Sequence, residues 1–241
     1  MKISVITATY NAMQHLPALA ESLRAQADKD FEWVVADGSS TDGTLEYLKS
    51  ITDLNVKVIS QEDFGIYDAL NRGIRACKGD FYIVMGADDV LYPNAVSLIR
   101  KALVSGSEND FFVFPVKYSE RILEPKKKMS WLYGQFSYIS MHSVGLVIRK
   151  DLHEKYGYYS RKFPIAADQY FILKAIRDGA KYKTCNELTG EHGSDGVSGT
   201  DHVGVITEFY RVQLLVGFNK YLQTLLVILR LLKNIKNIRV S

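Results

Sequence analysis

Two adjacent carboxylates, Asp88 and Asp89, follow the apolar run Phe81-Tyr82-Ile83-Val84-Met85 and precede Tyr92-Pro93. Carboxylate oxygens at a sharp strand end suit a hard divalent cation such as Mg²⁺ or Mn²⁺, which needs one or two protein ligands when substrate phosphates supply the others. An acidic pair also caps helices, and Asp89 stands where it could be the N-cap of the next one. A second polar cluster, Asp37-Gly38-Ser39-Ser40-Thr41-Asp42-Gly43-Thr44, follows another apolar run. Asp37 there can accept a hydrogen bond from a base imino group, while Asp42 or Ser40 caps the helix that follows. Asp168, in Ile165-Ala166-Ala167-Asp168-Gln169-Tyr170, opens a helical stretch with few charges before it. Its carboxyl reads either as a general base tuned by burial or as a helix cap. His192, in Glu191-His192-Gly193-Ser194-Asp195-Gly196-Val197-Ser198, lies on a loop from which an imidazole can reach a metal or a diphosphate.

The elements that must position these groups alternate in type. Short β-rich runs at 3–8, 32–36, 56–60 and 81–85 are separated by helical patterns at 14–27, 44–51 and 66–77. Such βαβ alternation predicts an α/β fold, a largely parallel sheet with helices on both faces. In open sheets of this kind ligands sit beyond the carboxyl ends of the strands. Thr7-Ala8-Thr9-Tyr10-Asn11, the Asp37 cluster and Gly86-Ala87-Asp88-Asp89 all fall at those ends, so one crevice can collect them. Downstream, the pattern predicts a helix over 93–104, a strand over 111–117, a mobile basic loop at 124–128, a strand over 143–148 and helices over 151–156 and 167–177.

Composition bounds the class. A chain of 241 residues, 47% hydrophobic and 24% charged, can bury a substantial core. Its two cysteines, Cys77 and Cys185, lack metal-ligand spacing and argue against a disulfide framework, consistent with a reducing cytoplasm. The N-terminus reads as a first strand and not as a secretory signal. Net charge is +3, but beyond Glu208 stand six basic residues (Arg211, Lys220, Arg230, Lys233, Lys236, Arg239) and no acidic ones. The remainder carries 24 basic against 27 acidic residues, or −3, which speaks against a nucleic-acid-binding core and for a basic tail with its own surface. That tail, over 203–238, carries apolar residues at helical spacing, and its longest purely apolar run, 225–229, is far below the ~20 residues that span a bilayer. Packing on the domain or a partner subunit and lying in a membrane interface are both open to it.

Taken together, Ile3-Ser4-Val5-Ile6-Thr7-Ala8-Thr9-Tyr10-Asn11, the Val35 to Thr44 segment, Gly65-Ile66-Tyr67-Asp68-Ala69-Leu70-Asn71-Arg72-Gly73-Ile74 and Ala87-Asp88-Asp89 resemble inverting glycosyltransferase family 2. The subgroup is that of small bacterial enzymes of colanic-acid and O-antigen assembly. Met141-His142-Ser143, Ala167-Asp168 and Gly196-Val197-Ser198 resemble later motifs of that family, where Ser143 stands for its usual Gln and Ala167 for its commoner Glu. The resemblance runs from residue 2 to about 200. It implies a GT-A-type, Rossmann-like sheet and a nucleotide-sugar donor bound with Mn²⁺ or Mg²⁺. By that resemblance Thr7, Thr9 and Asp37 hold base and ribose with Tyr10, Ser39 and Asp68 beside them, and Arg72 supports base or diphosphate. Asp88 and Asp89 bind ribose and metal, His192 adds a metal-side imidazole, and Asp168 deprotonates the acceptor hydroxyl. A uridine diphosphate sugar as donor and a polyprenyl-linked or other carbohydrate acceptor follow from the same resemblance.

The expected organisation is a GT-A domain over 1–204, with a nucleotide-sugar half (1–110) and an acceptor half (111–204), then a basic amphipathic helical segment over 205–241. That segment would hold the enzyme peripherally at the inner face of the cell membrane, and a homodimer is left open. Two other classes compete: a catalytically silent nucleotide-binding partner, if Asp168 turns away from the crevice, and a nucleotidyltransferase. The latter carries a basic, glycine-rich phosphate loop after its first strand, where residues 7–11 here have neither glycine nor Lys or Arg. A dinucleotide dehydrogenase lacks support for the same reason, since no GxGxxG follows that strand.

Overall fold

The computed structural model describes residues 1–193 and 201–235. β1 (Ile3–Thr9) and β2 (Phe31–Asp37) are rich in β-branched and aromatic residues and almost entirely buried, as strands covered on both faces must be. Between and after them come α1 (Leu16–Arg24), α2 (Thr44–Ser50), β3 (Val56–Ser60), α3 (Ile66–Ala76) and β4 (Phe81–Val84). β1 lies between β2 and β4, parallel to both, and β3 extends the sheet beyond β2.

The chain continues through β5 (Val90–Leu91), α4 (Ala95–Ser105), β6 (Phe111–Val113), β7 (Val116–Tyr118) and β8 (Arg121–Leu123). After α5 (Ser130–Tyr133) and a 3₁₀ turn, Gly134–Ser137, follow β9 (Leu146–Arg149), α6 (Leu152–Tyr156), α7 (Ala167–Arg177), β10 (Tyr182–Thr184) and β11 (Gly190–Glu191). The main sheet has the order β10-β6-β9-β4-β1-β2-β3, with β9 antiparallel to both its neighbours and every other pair parallel. A smaller sheet, β5-β11-β7-β8, stands beside it.

Two apolar layers enclose the main sheet. One packs Leu16, Leu19 and Leu23 of α1 and Ile99 of α4 against Trp33 and Ile83. The other packs Leu70 and Ile74 of α3 and Phe171 and Ile172 of α7 against Ile6, Tyr82 and Leu146. Contact is closest at Gly73, where a Cβ would stand 2.5 Å from Ile6 Cγ2. A side chain there would lift α3, and with it the residues that α3 carries to the crevice.

The α/β class and the parallel order agree with the sequence reading, and three local expectations are corrected. The strand expected over 111–117 breaks into β6 and β7, in different sheets, at Pro115, which has no N–H for a continuing ladder. The basic loop at 124–128 is tied down: Lys126 N donates to Phe136 O (2.7 Å) and Lys127 N to Ser137 O (3.1 Å). The single C-terminal helix is a hairpin of α8 (His202–Leu215) and α9 (Lys220–Lys233). Gly217, at φ +84°, makes the turn, and Asn219 caps α9 through its side chain.

Candidate active site

Parallel register aligns three strand ends. Thr9 of β1 lies opposite Asp37 of β2, and Asp37 opposite Ser60 of β3. The neighbouring hydroxyls converge on the Asp37 carboxylate. Oδ1 accepts from Thr9 Oγ1 (2.9 Å) and Ser40 Oγ (2.5 Å), Oδ2 from Ser40 N (2.9 Å) and Ser60 Oγ (3.0 Å). Burial by itself would raise the Asp37 pKa, yet the donors from Ser40, Thr9 and Ser60 outweigh it and hold the group below its ordinary value. Four donors fill the lone pairs of this fully buried carboxylate. Asp37 therefore orders the loop, and a base imino group would have to displace one of those donors to reach it.

The side chains around Asp37 divide by depth and exposure. Thr7 is corrected outright: it has no exposed surface, and its hydroxyl accepts from Trp33 Nε1 (3.0 Å) inside the α1 layer. Tyr10 stands 70% exposed at the rim, and Ser39 sits in the turn at φ +63°. Arg72, on α3, reaches Gln61 O (3.0 Å), Asp63 Oδ2 (3.3 Å) and Asp37 O (3.4 Å), so its guanidinium lies at the strand-end crevice. Asp68, in the first turn of α3, is held by Arg161 NH2 at 2.5 Å. Burial would raise its pKa, but Arg161 more than compensates and keeps it lowered. The helix cap on α2 comes from Asp42, whose Oδ1 accepts from Thr44 N (3.1 Å) and Thr44 Oγ1 (2.6 Å).

The carboxylate pair separates into two roles. Asp89 is wholly buried and caps no helix. Its Oδ2 accepts from Gly86 N (2.6 Å), and its Oδ1 accepts from Gly193 N (2.9 Å) and lies 2.8 Å from His192 Nδ1. Burial lowers the His192 pKa, but the bond to Asp89 and the charges of Asp89 and Asp88 reverse this and raise it. The imidazole, drawn toward its cationic form, is here a charge partner for Asp89. Asp88 is half-buried and packs against two glycines. A Cβ on Gly86 would lie 2.8 Å from its Oδ1, and one on Gly193 would lie 2.1 Å from its Oδ2. Among the described residues no group of three or more His, Cys, Asp or Glu is arranged to hold a metal. A hard cation that draws other ligands from a diphosphate needs only one or two carboxylates, and Asp88 fits that donor set.

Asp168 is the second residue of α7 and is 7% exposed. It does not cap its helix: that task falls to Glu208 of α8, whose Oε2 accepts from Ile165 N (3.0 Å) and Ala166 N (2.8 Å). Released from capping, Asp168 takes a short hydrogen bond from Tyr67 OH to Oδ1 (2.6 Å), with Gln135 Nε2 at 3.5 Å from Oδ2. Burial first, and Asp168 second, push the Tyr67 pKa well above its ordinary value, so the phenol remains a donor. Behind it, Tyr159 packs on the Tyr67 ring at 5.5 Å and lies within hydrogen-bond distance of His142 Nε2 (2.8 Å) and Tyr82 OH (2.9 Å). Ser143, adjacent to His142, reaches His192 Nδ1 at 3.2 Å, so one short segment links the two acidic clusters.

The structure thus joins Thr9, Asp37 and Arg72 at the strand ends, links Asp89 through His192, Ser143 and His142 to Tyr159, which packs on the Tyr67 that bonds Asp168, and adds Gln135, Ser40, Ser60 and Glu208. Tyr67 lay inside a recognised motif and gave a signal; Gln135 and Glu208 gave none. The Gly196-Val197-Ser198 motif lies outside the described residues.

Comparison with known proteins bears on this geometry. The family profile described as Glycosyl transferase family 2 matches residues 4–162. A PGL/p-HBAD biosynthesis glycosyltransferase of Mycobacterium tuberculosis is 40% identical over 106 residues, which cover 43% of this chain and 41% of that protein. The matched part is thus about two fifths of that relative's length. Among solved structures, Staphylococcus aureus TarS 1-349 in complex with UDP-GlcNAc superposes with a TM-score of 0.73 at 20% identity, over 98% of this chain and 73% of that one. A mannosyltransferase of Pyrobaculum calidifontis in complex with GDP-Man and Mn²⁺ gives 0.69 at 16% identity, over 99% of this chain and 76% of that one. Both likenesses are of fold.

Proposed function

The chain belongs to glycosyl transferase family 2, and from that premise we propose that it moves one sugar, with inversion, from a nucleoside-diphosphate sugar to a hydroxyl of a carbohydrate acceptor. The observation that carries this reading is Asp168, a nearly buried carboxylate that caps nothing and is aimed by Tyr67. In the reaction Asp168 accepts the acceptor hydroxyl proton while that oxygen attacks the anomeric carbon from the face opposite the diphosphate. The new C–O bond forms as the bond to the leaving oxygen breaks, so a single displacement inverts the centre. Arg72 and the Asp37 loop hold the nucleotide end. A divalent cation held by Asp88 would supply charge neutralisation for the departing diphosphate. A uridine diphosphate sugar is the first donor to try, in keeping with TarS, and the GDP-Man complex on the same fold makes the guanosine donors the necessary comparison. For the acceptor we propose an oligosaccharide on a polyprenyl diphosphate.

The test is a panel of UDP-, GDP- and dTDP-sugars with Mn²⁺, scored by nucleoside diphosphate release from wild type, Asp88→Asn and Asp168→Asn. One donor should be cleaved slowly without acceptor; Asp88→Asn should abolish that cleavage, and Asp168→Asn should retain donor binding but lose transfer. A nucleotide that binds tightly and is never turned over, with or without acceptor, would favour the silent-partner reading instead.

A further inference from the structure

In the C-terminal hairpin, α8 buries Ile206 and Val212, whereas α9 leaves much of its apolar surface outside. Helix α9 turns Gln223, fully buried, and the half-buried Arg230 toward the domain, where Gln223 Nε2 donates to Trp131 O (2.6 Å) and Arg230 NH2 to Leu132 O (2.7 Å). Its outer face carries Leu225, Ile228, Leu229 and Leu232, each at least half exposed, with Tyr221 at 76%. A helix of a water-soluble domain buries its leucines and exposes its amides. The outer face of α9 keeps a continuous apolar stripe that water does not explain and that calls for an apolar phase outside the chain.

Charge identifies that phase. From Phe209 to the end of the chain there is no acidic residue, and Lys220 and Lys233 are exposed on α9. The segment that α9 grips is equally one-signed: no Asp or Glu occurs from Pro125 to Lys150, and the exposed Lys126, Lys127 and Lys128 run into Met129 and Trp131, themselves exposed. No helix among the described residues is long and apolar enough to cross a membrane. Leucines flanked by lysines, with Trp and Tyr at the margin, suit the boundary of an anionic bilayer.

We propose that the outer face of α9, together with the Lys126–Lys128 run and Trp131, docks on an anionic lipid surface. This rests on the transfer reading only for its purpose. The Trp131 and Leu132 carbonyls gripped by α9 lie four and three residues before Gln135, whose amide approaches Asp168. Docking would therefore set the general base next to the bilayer, where a lipid-linked acceptor presents its sugar.

The experiment is flotation of the full chain with vesicles of phosphatidylcholine alone or mixed with phosphatidylglycerol, at low and high salt, beside size-exclusion mass measurement and donor hydrolysis. The chain should float with the anionic vesicles and be released by salt. Leu225→Glu and Leu229→Glu should each weaken binding roughly tenfold, and each Lys→Gln change at 126, 127 and 128 about fivefold. Donor hydrolysis should persist in all of these variants, which lie outside the crevice. Absence of binding to anionic vesicles overturns the proposal. So do leucine variants that turn a dimer into a monomer while vesicle binding stays unchanged, since a second copy would then cover the stripe. Lysine variants that bind as wild type overturn the part played by residues 126–128. Vesicle binding without turnover of any donor would sink the transfer reading and leave the lipid surface standing.

Discussion

Tyr67→Phe is the sharpest probe of the site, because it deletes one oxygen. In the native chain that oxygen lies 2.6 Å from Asp168 Oδ1 and 2.8 Å from Ile165 O. The other contact to the carboxylate, Gln135 Nε2 at 3.5 Å, is long, so little else holds Asp168 in one rotamer. A hydrogen bond to a charged group contributes ~1.5–3 kcal/mol, and the half-buried Tyr67 leaves room for water to restore part of it. About 1.5 kcal/mol, or roughly tenfold in rate, is the expected loss. Phenylalanine keeps the ring that packs on Tyr159, so the fold should tolerate the change. Initial rates at varied donor and acceptor should show kcat lowered roughly tenfold with the donor KM unchanged, while thermal unfolding moves by a degree or two. An unchanged kcat would refute the positioning role. A loss of donor affinity, or a Tm lowered by many degrees, would show instead that the hydroxyl serves the fold.

Three further outcomes follow from the same geometry. Asp89→Asn, which disturbs a buried acceptor of bonds from Gly86, Gly193 and His192, should lower both Tm and activity, whereas Asp88→Asn should cost turnover with Tm nearly intact; equal stability of the two variants would contradict the division of roles. Glu208→Ala uncovers the Ile165 and Ala166 amides at the start of α7 and should cost about 2 kcal/mol in urea unfolding, with kcat falling because Asp168 lies two residues on. Burial pushes the His153 pKa from 6.5 down to about 4, where the ring is stacked on Phe171 at 4.3 Å. The unfolded chain takes the proton first as pH falls below 6.5, so the stability held by the neutral ring at pH 7 drains away toward pH 4, by roughly 3 kcal/mol in all. Urea midpoints measured across that range should flatten in His153→Phe, and a wild-type profile that is already flat would exclude the effect.

What the chain reveals without its structure is local. The βαβ alternation follows from residue periodicity over about ten positions, and it already implies where strand ends, and so ligands, must fall. Asp37, Asp88 and Asp168 stood out because acidic residues beside glycine or in an apolar stretch are conspicuous in one dimension. Their roles were decided elsewhere. Thr7 and Thr9 are two residues apart on one strand, yet Thr7 is spent on Trp33 while Thr9 reaches Asp37, a division set by the depth at which each sits in the sheet. Asp88 and Asp89 are neighbours in sequence, and the bonds that Asp89 receives from Gly86, Gly193 and His192 set it apart. Asp168 could be a cap or a base until Glu208 supplied the cap and Tyr67, 101 residues away, supplied the aim. The tail showed its helical period, but the break at Gly217 and the outward leucines of α9 emerge only when the helix is laid against α5. Periodicity records which residues share a face. Which way that face turns depends on partners brought from distant parts of the chain, and those are fixed only by packing.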